Sequence, residues 1–130
     1  MLNAECIMLS EVTMETNVIV EKSLDFAVRI VNLYKFLRKE HHEYVMSKQI
    51  LRSGTSIGAN VSEAERGQSK ADFTAKMSIA LKEANETQYW LKLLYRTDFI
   101  SRSQYESLYK DVDELLRILT AICKSSVQNK

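Results

Sequence analysis

Residues 47–67, SKQILRSGTSIGANVSEAERG, decide the fold of this chain. An α-helix advances about 100° per residue, so an apolar stripe and a polar stripe lie on two different faces of this segment. The apolar stripe is Met46, Ile50, Ile57, Val61 and Ala64, with Gly54 beside it, and the polar stripe is Arg52, Ser56, Asn60 and Glu63. A glycine inside a helix costs about 1 kcal/mol relative to alanine, so Gly54 and Gly58 indicate that another backbone comes very close.

Three other segments also show the periodicity of amphipathic helices, which gives four predicted helices with the segment above as part of the second. Helix one is predicted over 17–40, helix two over 44–65 with Gly67 placed to end it, and helix three over 70–95 after a cap at Ser69. Helix four follows a cap at Ser101 or Ser103. The expected core positions of helix three are Phe73, Met77, Ala80, Ala84, Leu91 and Leu94, and those of helix four are Tyr105, Leu108, Val112, Leu115, Leu119 and Ile122.

Helix one carries two neighbouring apolar stripes. Together they cover about half of its circumference, more than a surface helix needs, so this helix is expected to touch more than one neighbour. The stripes are Ile19, Phe26, Ile30, Leu33, Leu37 and Val20, Leu24, Ala27, Val31, Tyr34.

Four amphipathic helices with short connections predict an all-α, up-down-up-down antiparallel four-helix bundle. We expect the bundle to span 17–123, with a loosely ordered lead-in over 1–16 and a frayed tail over 124–130. An extended helical hairpin that is stable only on oligomerisation is the alternative.

The composition of the 130 residues fits one helical domain, with no Pro and only 3 Gly. The 18 basic and 17 acidic residues nearly cancel, so the whole molecule has no field that attracts nucleic acid or an anionic membrane. No segment reaches the ~20 apolar residues of a membrane span. Cys6 and Cys123 have no metal-ligand spacing and are expected to be free thiols, which favours a cytoplasmic protein.

Candidate chemistry is weak throughout the sequence. The letters of Gly54-Thr55-Ser56-Ile57-Gly58 match the G-x-S-x-G elbow of α/β-hydrolases, but that elbow needs a preceding strand and a later His. Here a helix precedes Ser56, and both histidines, residues 41 and 42, lie upstream. Glu63, Glu83 and Glu86 could project inward as a dinuclear metal site, but no Glu-x-x-His motif accompanies them. We expect no enzymatic activity, metal or cofactor, and a metal-binding bundle remains a third alternative.

An interaction role has more support in the sequence. The planar guanidinium of Arg52 suits a carboxylate, which Glu83, Glu86 or Glu63 could supply. Trp90 with two aliphatic residues and two carboxylates makes an unusual outer face for a monomer. The predicted helix–helix or subunit interface is Arg52, Ser56, Gly58, Asn60, Glu63, Glu83, Glu86 and Trp90.

Candidate nucleic-acid contacts fall into two groups. In an up-down bundle the groups lie at opposite ends, although repeated copies in a ring would array them as a belt. They are Lys35, Arg38 and Lys39 at the end of helix one, and Arg66 and Lys70 at the turn between helices two and three.

The stretch 17–101 resembles the bacterial four-helix bundle family first described from open reading frames in intervening sequences of 23S ribosomal RNA genes. The resemblance is carried by SKQ at 47–49, LRSGTSIGAN at 51–60, EA at 63–64 and ALKEANETxYWL at 80–91. It implies an up-down four-helix bundle that assembles as a ring-like homopentamer. The chain also looks similar to the accessory protein of diversity-generating retroelements, a basic pentamer that binds nucleic acid and a reverse transcriptase, but departs from it in its near-zero net charge.

These observations together predict a non-enzymatic, oligomeric four-helix bundle that serves as a scaffold or RNA-associated accessory protein. Its expected partners are further copies of itself, RNA or DNA, and a protein partner, but no membrane. The alternative is direct nucleic-acid binding through basic residues arrayed around the assembled ring.

Overall fold

The computed structural model describes residues 4–128 of the chain, and the side chains of Met14 and of residues 16–126. Four helices account for nearly all of it: α1 Ala4–His41, α2 Met46–Glu65, α3 Lys70–Arg96 and α4 Arg102–Gln128. Each helix packs on the next, and α4 also packs on α1, so α1 and α3 occupy opposite corners. The described residues contain no strand. The predicted all-α, antiparallel four-helix bundle is confirmed.

The core lies where the apolar periodicity predicts it. In α2 the positions Ile50, Ile57 and Val61 are fully buried, and the core positions of α3 and α4 are buried apart from the partly exposed Phe73 and Tyr105. The two stripes of α1 differ. Ile19, Phe26, Ile30, Leu33 and Leu37 enter the core, whereas the stripe that includes Leu24 is only partly buried and Leu24 itself is 60% exposed.

Local polar contacts begin the helices. The Ser69 hydroxyl accepts the backbone N–H of Asp72 at 3.1 Å, as predicted. The Ser101 hydroxyl accepts that of Gln104 at 3.1 Å, so of the two candidates for the α4 cap the structure has Ser101. The α2 cap was not predicted. The Glu43 carboxylate accepts the backbone N–H groups of Val45, Met46 and Ser47 at 2.7–3.0 Å.

The helix ends use different residues. Gly67 follows α2 as predicted, and its N–H donates to the Ala64 carbonyl at 3.0 Å, but without a positive φ. The left-handed conformation occurs instead at His42 after α1, with φ 50°, and at Asp98 after α3, with φ 66°.

The first and last helices are longer than the sequence pattern indicates. α1 begins at Ala4, before the predicted start at residue 17, since the stretch contains neither Pro nor Gly to interrupt a helix. Side chains 4–13 and the whole of 1–3 lie outside the described residues. α4 continues past 123 to Gln128, and Ser126 is buried and hydrogen-bonded to Thr74 of α3. The predicted tail 124–130 is therefore helical through 128, and 129–130 lie outside the described residues.

Candidate interaction surfaces

The polar stripe of α2 faces α3. Arg52 pairs with two carboxylates of that helix, donating to Glu83 Oε2 at 3.0 Å and meeting Glu86 Oε2, which is buried. In the last turn of α2, Glu63 Oε2 lies 2.8 Å from Lys76 Nζ. The structure thus brings Arg52, Glu83 and Glu86 together, while Glu63 takes a partner that sequence reasoning missed. These ion pairs join α2 to α3 along the polar stripe.

Buried hydroxyl groups lie beneath these ion pairs. Thr87 and Ser53 are both 0% exposed, and the Thr87 hydroxyl lies 3.0 Å from Ser53 Oγ and 2.8 Å from the Glu83 carbonyl. Sequence reasoning assigned no role to either residue. The burial of Thr87 could have been predicted from its spacing, because position 87 is three residues after Ala84 and four before Leu91, both core positions.

The remaining predicted interface residues are split between the two sides of α2. Ser56 donates to the Arg52 carbonyl at 2.5 Å and Asn60 to the Ser56 carbonyl at 2.8 Å, so both satisfy their own helix. Gly58 faces α1. Trp90 is partly buried, packs on the core and makes an edge-to-face contact with the exposed Tyr89 ring, 5.1 Å between centroids. The buried Nε1–H of Trp90 has no acceptor among the residues that the structure describes.

The other side of α2 packs on α1 with little polar contact. A Cβ at Gly54 would lie 2.8 Å from two Ile30 side-chain carbons, and a Cβ at Gly58 would lie 3.3 Å from the Ser23 carbonyl oxygen. The close backbone approach predicted from the glycines is therefore present at Gly58, and at Gly54 a buried side chain fills the space.

An apolar groove lies outside this contact, between α1 and α2. Leu24 and Val28 beside it are 60% and 55% exposed. The residues that α2 contributes to its lining are all small. Its lining residues are Val20, Leu24, Ala27, Thr55, Gly58, Ala59 and Ser62.

Aromatic and basic side chains meet where α1 ends. The guanidinium carbon of Arg38 lies 5.2 Å from the Tyr34 ring centroid and 4.8 Å from that of Tyr44. A shallow depression here, which we call the aromatic–basic patch, is lined by Tyr34, Lys35, Arg38, Lys39 and Tyr44. The other predicted basic residues, Arg66 and Lys70, lie at the turn between α2 and α3, at the opposite end of the bundle.

Several chemical roles find no assembled site among the described residues. No group of three or more His, Cys, Asp and Glu side chains there is placed to hold a metal ion. The Ser56 hydroxyl of the G-x-S-x-G match lies within α2 and bonds its own helix. Cys123 is a free thiol whose pKa is raised by burial, while Cys6 lies outside the described side chains. None of the four described helices carries an apolar stretch sufficient to cross a membrane.

The fold and these surfaces define a four-helix bundle protein with ion-paired and apolar helix seams. A family model described as 23S rRNA-intervening sequence protein matches residues 15–121. The chain is also similar to a protein of unknown function from the S23 ribosomal protein family of Bacteroides thetaiotaomicron, whose crystal structure superposes with a TM-score of 0.83 at 64% identity, over 85% of this chain and 98% of that one. No curated protein matches.

The chain belongs to the 23S rRNA-intervening sequence protein family. The family resemblance seen in the sequence is therefore confirmed. The similarity to the accessory protein of retroelements stays a prediction, as do the subunit number and the subunit contacts of the interface residues.

Proposed function

We propose that this protein is a non-enzymatic, oligomeric scaffold that acts as an RNA-associated accessory protein. The observation that carries the proposal is the apolar groove between α1 and α2. Leu24 and Val28 expose more than half of their surfaces there, although the same helix buries a complete second stripe in the core. Contiguous apolar surface of this kind is typical of protein–protein contacts.

A second copy of the chain is the occupant that fits this groove. The chain carries another exposed apolar surface on α3, where Tyr89 is 58% exposed beside Trp90. Ile79, which is 41% exposed, lies about 15 Å away along the same helix. Because α1 and α3 occupy opposite corners of the bundle, the two surfaces face different directions. Contact between two unlike surfaces of identical chains is heterologous, and such contacts close into a ring when the rotation between copies divides a full turn and otherwise extend into an open filament. Five copies is the number that the family resemblance implies.

Light scattering coupled to size exclusion tests the self-association. Wild-type protein is expected to elute as a multimer, and Leu24→Glu to dissociate it, because an acid in the groove would be desolvated without a partner. Val45→Glu is the matched control, since Val45 is 72% exposed and lies outside the groove. A monomeric wild type, or equal effects of the two variants, would contradict the proposal.

RNA association is supported by the description of the family, 23S rRNA-intervening sequence protein. Direct nucleic-acid binding is the second candidate function, and the cations at the end of α1 favour it. Fluorescence anisotropy with a labelled structured RNA at low salt is the test. Failure to bind there would remove both the RNA role and the second candidate, while leaving the scaffold untouched.

A further inference from the structure

We propose that the aromatic–basic patch at the end of α1 binds an unpaired, single-stranded segment of nucleic acid, with a base stacked on Tyr44 and phosphates held by Lys35, Arg38 and Lys39. This site is separate from the apolar groove and is complete within one chain. It rests on the nucleic-acid association of the proposed function but not on its oligomeric scaffold.

Uncompensated positive charge is the first observation. Among the described residues, none of the three cations forms an ion pair with a carboxylate. The nearby acids in the chain point elsewhere. Glu43 gives its carboxylate to the backbone N–H groups at the start of α2, and Glu40, about 200° around α1 from Arg38 and next to Lys39 in sequence, forms no ion pair with any of the three cations. The patch therefore keeps its charge although the whole chain is nearly neutral.

Fixed aromatic rings are the second observation. Tyr44 is 46% exposed, yet its ring carries the Arg38 guanidinium at 4.8 Å and its hydroxyl lies 3.2 Å from Nδ1 of His42. Tyr34 holds the same guanidinium at 5.2 Å. An exposed ring whose orientation is already set loses little entropy when a base stacks on it. Aromatic rings beside cations are the combination that single-strand-binding proteins use.

The geometry favours a single strand over a duplex and over an acidic peptide. Bases in a duplex are stacked on each other, so a ring can reach a base face only where the strand is unpaired. Carboxylates would satisfy the cations but would leave the Tyr44 face unused. The base face and the phosphate charge together match one partner, and RNA and DNA both supply them.

Anisotropy titrations with labelled oligonucleotides of about 12 nucleotides test the proposal, since this length covers typical single-strand sites. The probes are one mixed-sequence RNA, its DNA equivalent and the corresponding RNA duplex. An acidic peptide serves as competitor. We expect both single strands to bind more tightly than the duplex, with the RNA and DNA arms identifying the preferred source. Equal binding of the duplex, displacement by the peptide at similar concentration, or no binding at about 50 mM salt would overturn the proposal.

Variants then separate stacking from charge. Tyr44→Ala is expected to weaken single-strand binding by about 5- to 150-fold, while Tyr44→Phe keeps the ring and stays within about twofold. Lys35→Ala and Lys39→Ala should each reduce the slope of log affinity against log salt by about 0.7. Lys110→Ala, an exposed lysine of α4, is the control expected to change neither. Unchanged affinity in Tyr44→Ala with an unchanged melting temperature would refute the site.

Repeating the titrations on Leu24→Glu keeps the two proposals distinct. A dissociated Leu24→Glu chain that still binds with Tyr44-dependent affinity supports a site within one chain. Binding that disappears with the oligomer refutes it and leaves the scaffold intact.

Discussion

The two sides of α2 make contacts of opposite character. Toward α3 the helix presents an ion-paired seam, with Arg52 between Glu83 and Glu86 above the buried Thr87–Ser53 hydrogen bond. Toward α1 it presents glycines and an apolar groove. Directional contacts fix register, whereas close packing of small residues brings backbones together and leaves apolar surface at the rim. The difference is that the α2–α3 side satisfies its polar groups within one chain, whereas the α1–α2 side leaves the apolar surface that we propose a second copy covers.

The largest expected effect is at Gly54. Gly54→Ala would place a methyl group 2.8 Å from Ile30, which is fully buried and β-branched, so the free energy of unfolding should fall by about 2 kcal/mol. Gly58→Ala is the matched comparison. Its methyl would meet the Ser23 carbonyl oxygen at 3.3 Å, and the gain of about 1 kcal/mol in helix propensity should nearly offset the crowding. Urea denaturation measures both, and equal losses in the two variants would contradict the tighter packing at Gly54.

The next effect is at the ion-paired seam. Arg52→Ala leaves Glu83, whose side chain is only 17% exposed, without its cation, and should cost about 1 kcal/mol because Arg52 itself is 48% exposed. The pair Arg52→Ala/Glu83→Gln should cost less than the sum of the two single changes. A double-mutant cycle by urea denaturation measures this coupling. Simple additivity would mean that the seam does not depend on the pair.

The smallest effect concerns the acid that joins α1 to α2. Burial raises the pKa of Glu43, but the backbone N–H groups of Met46, Ser47 and Val45 outweigh it and hold that pKa below 4.5. A lowered folded-state pKa means that the stabilisation is complete above pH 4.5 and is lost as the pH falls through the folded value. Glu43→Gln should therefore cost about 0.5 kcal/mol at neutral pH, since Gln keeps one acceptor oxygen, and progressively less in acid.

Melting temperatures across the pH range check the Glu43 prediction. Glu40→Gln is the matched control, because Glu40 is an exposed acid in the last turn of α1, three residues before Glu43. A Glu43→Gln deficit that stays constant down to pH 3, or one that Glu40→Gln reproduces, would contradict the capping role.

The fold could be predicted from the sequence alone because the periodicity of apolar residues within each helix determines which face is buried. The heptad of α4, the caps at Ser69 and Ser101, and the polar stripe of α2 are all readable from spacing within one helix. Which charged residues form ion pairs with each other was harder to predict from the sequence. Arg52 was expected to meet a carboxylate, and Glu63 was among the options, but Lys76 takes Glu63. Which of several nearby charges pair depends on helix rotation and spacing, which no single helix specifies.

The candidate sites were predicted only in part, because they too depend on how separate elements of the chain pack together. Lys35, Arg38 and Lys39 were identified by charge, but Tyr34 and Tyr44 lie on two different elements and converge only in the folded chain. The two apolar stripes of α1 looked equivalent in sequence. Only the packing of α2 and α4 decides that one stripe is buried and that Leu24 stays exposed.

Native mass spectrometry of the unmodified chain at micromolar concentration tests most directly whether the groove of α1 and α2 is covered by another copy. We expect species heavier than a single chain, with five copies the principal form. A spectrum that contains only single chains under conditions in which the bundle is folded would contradict the account.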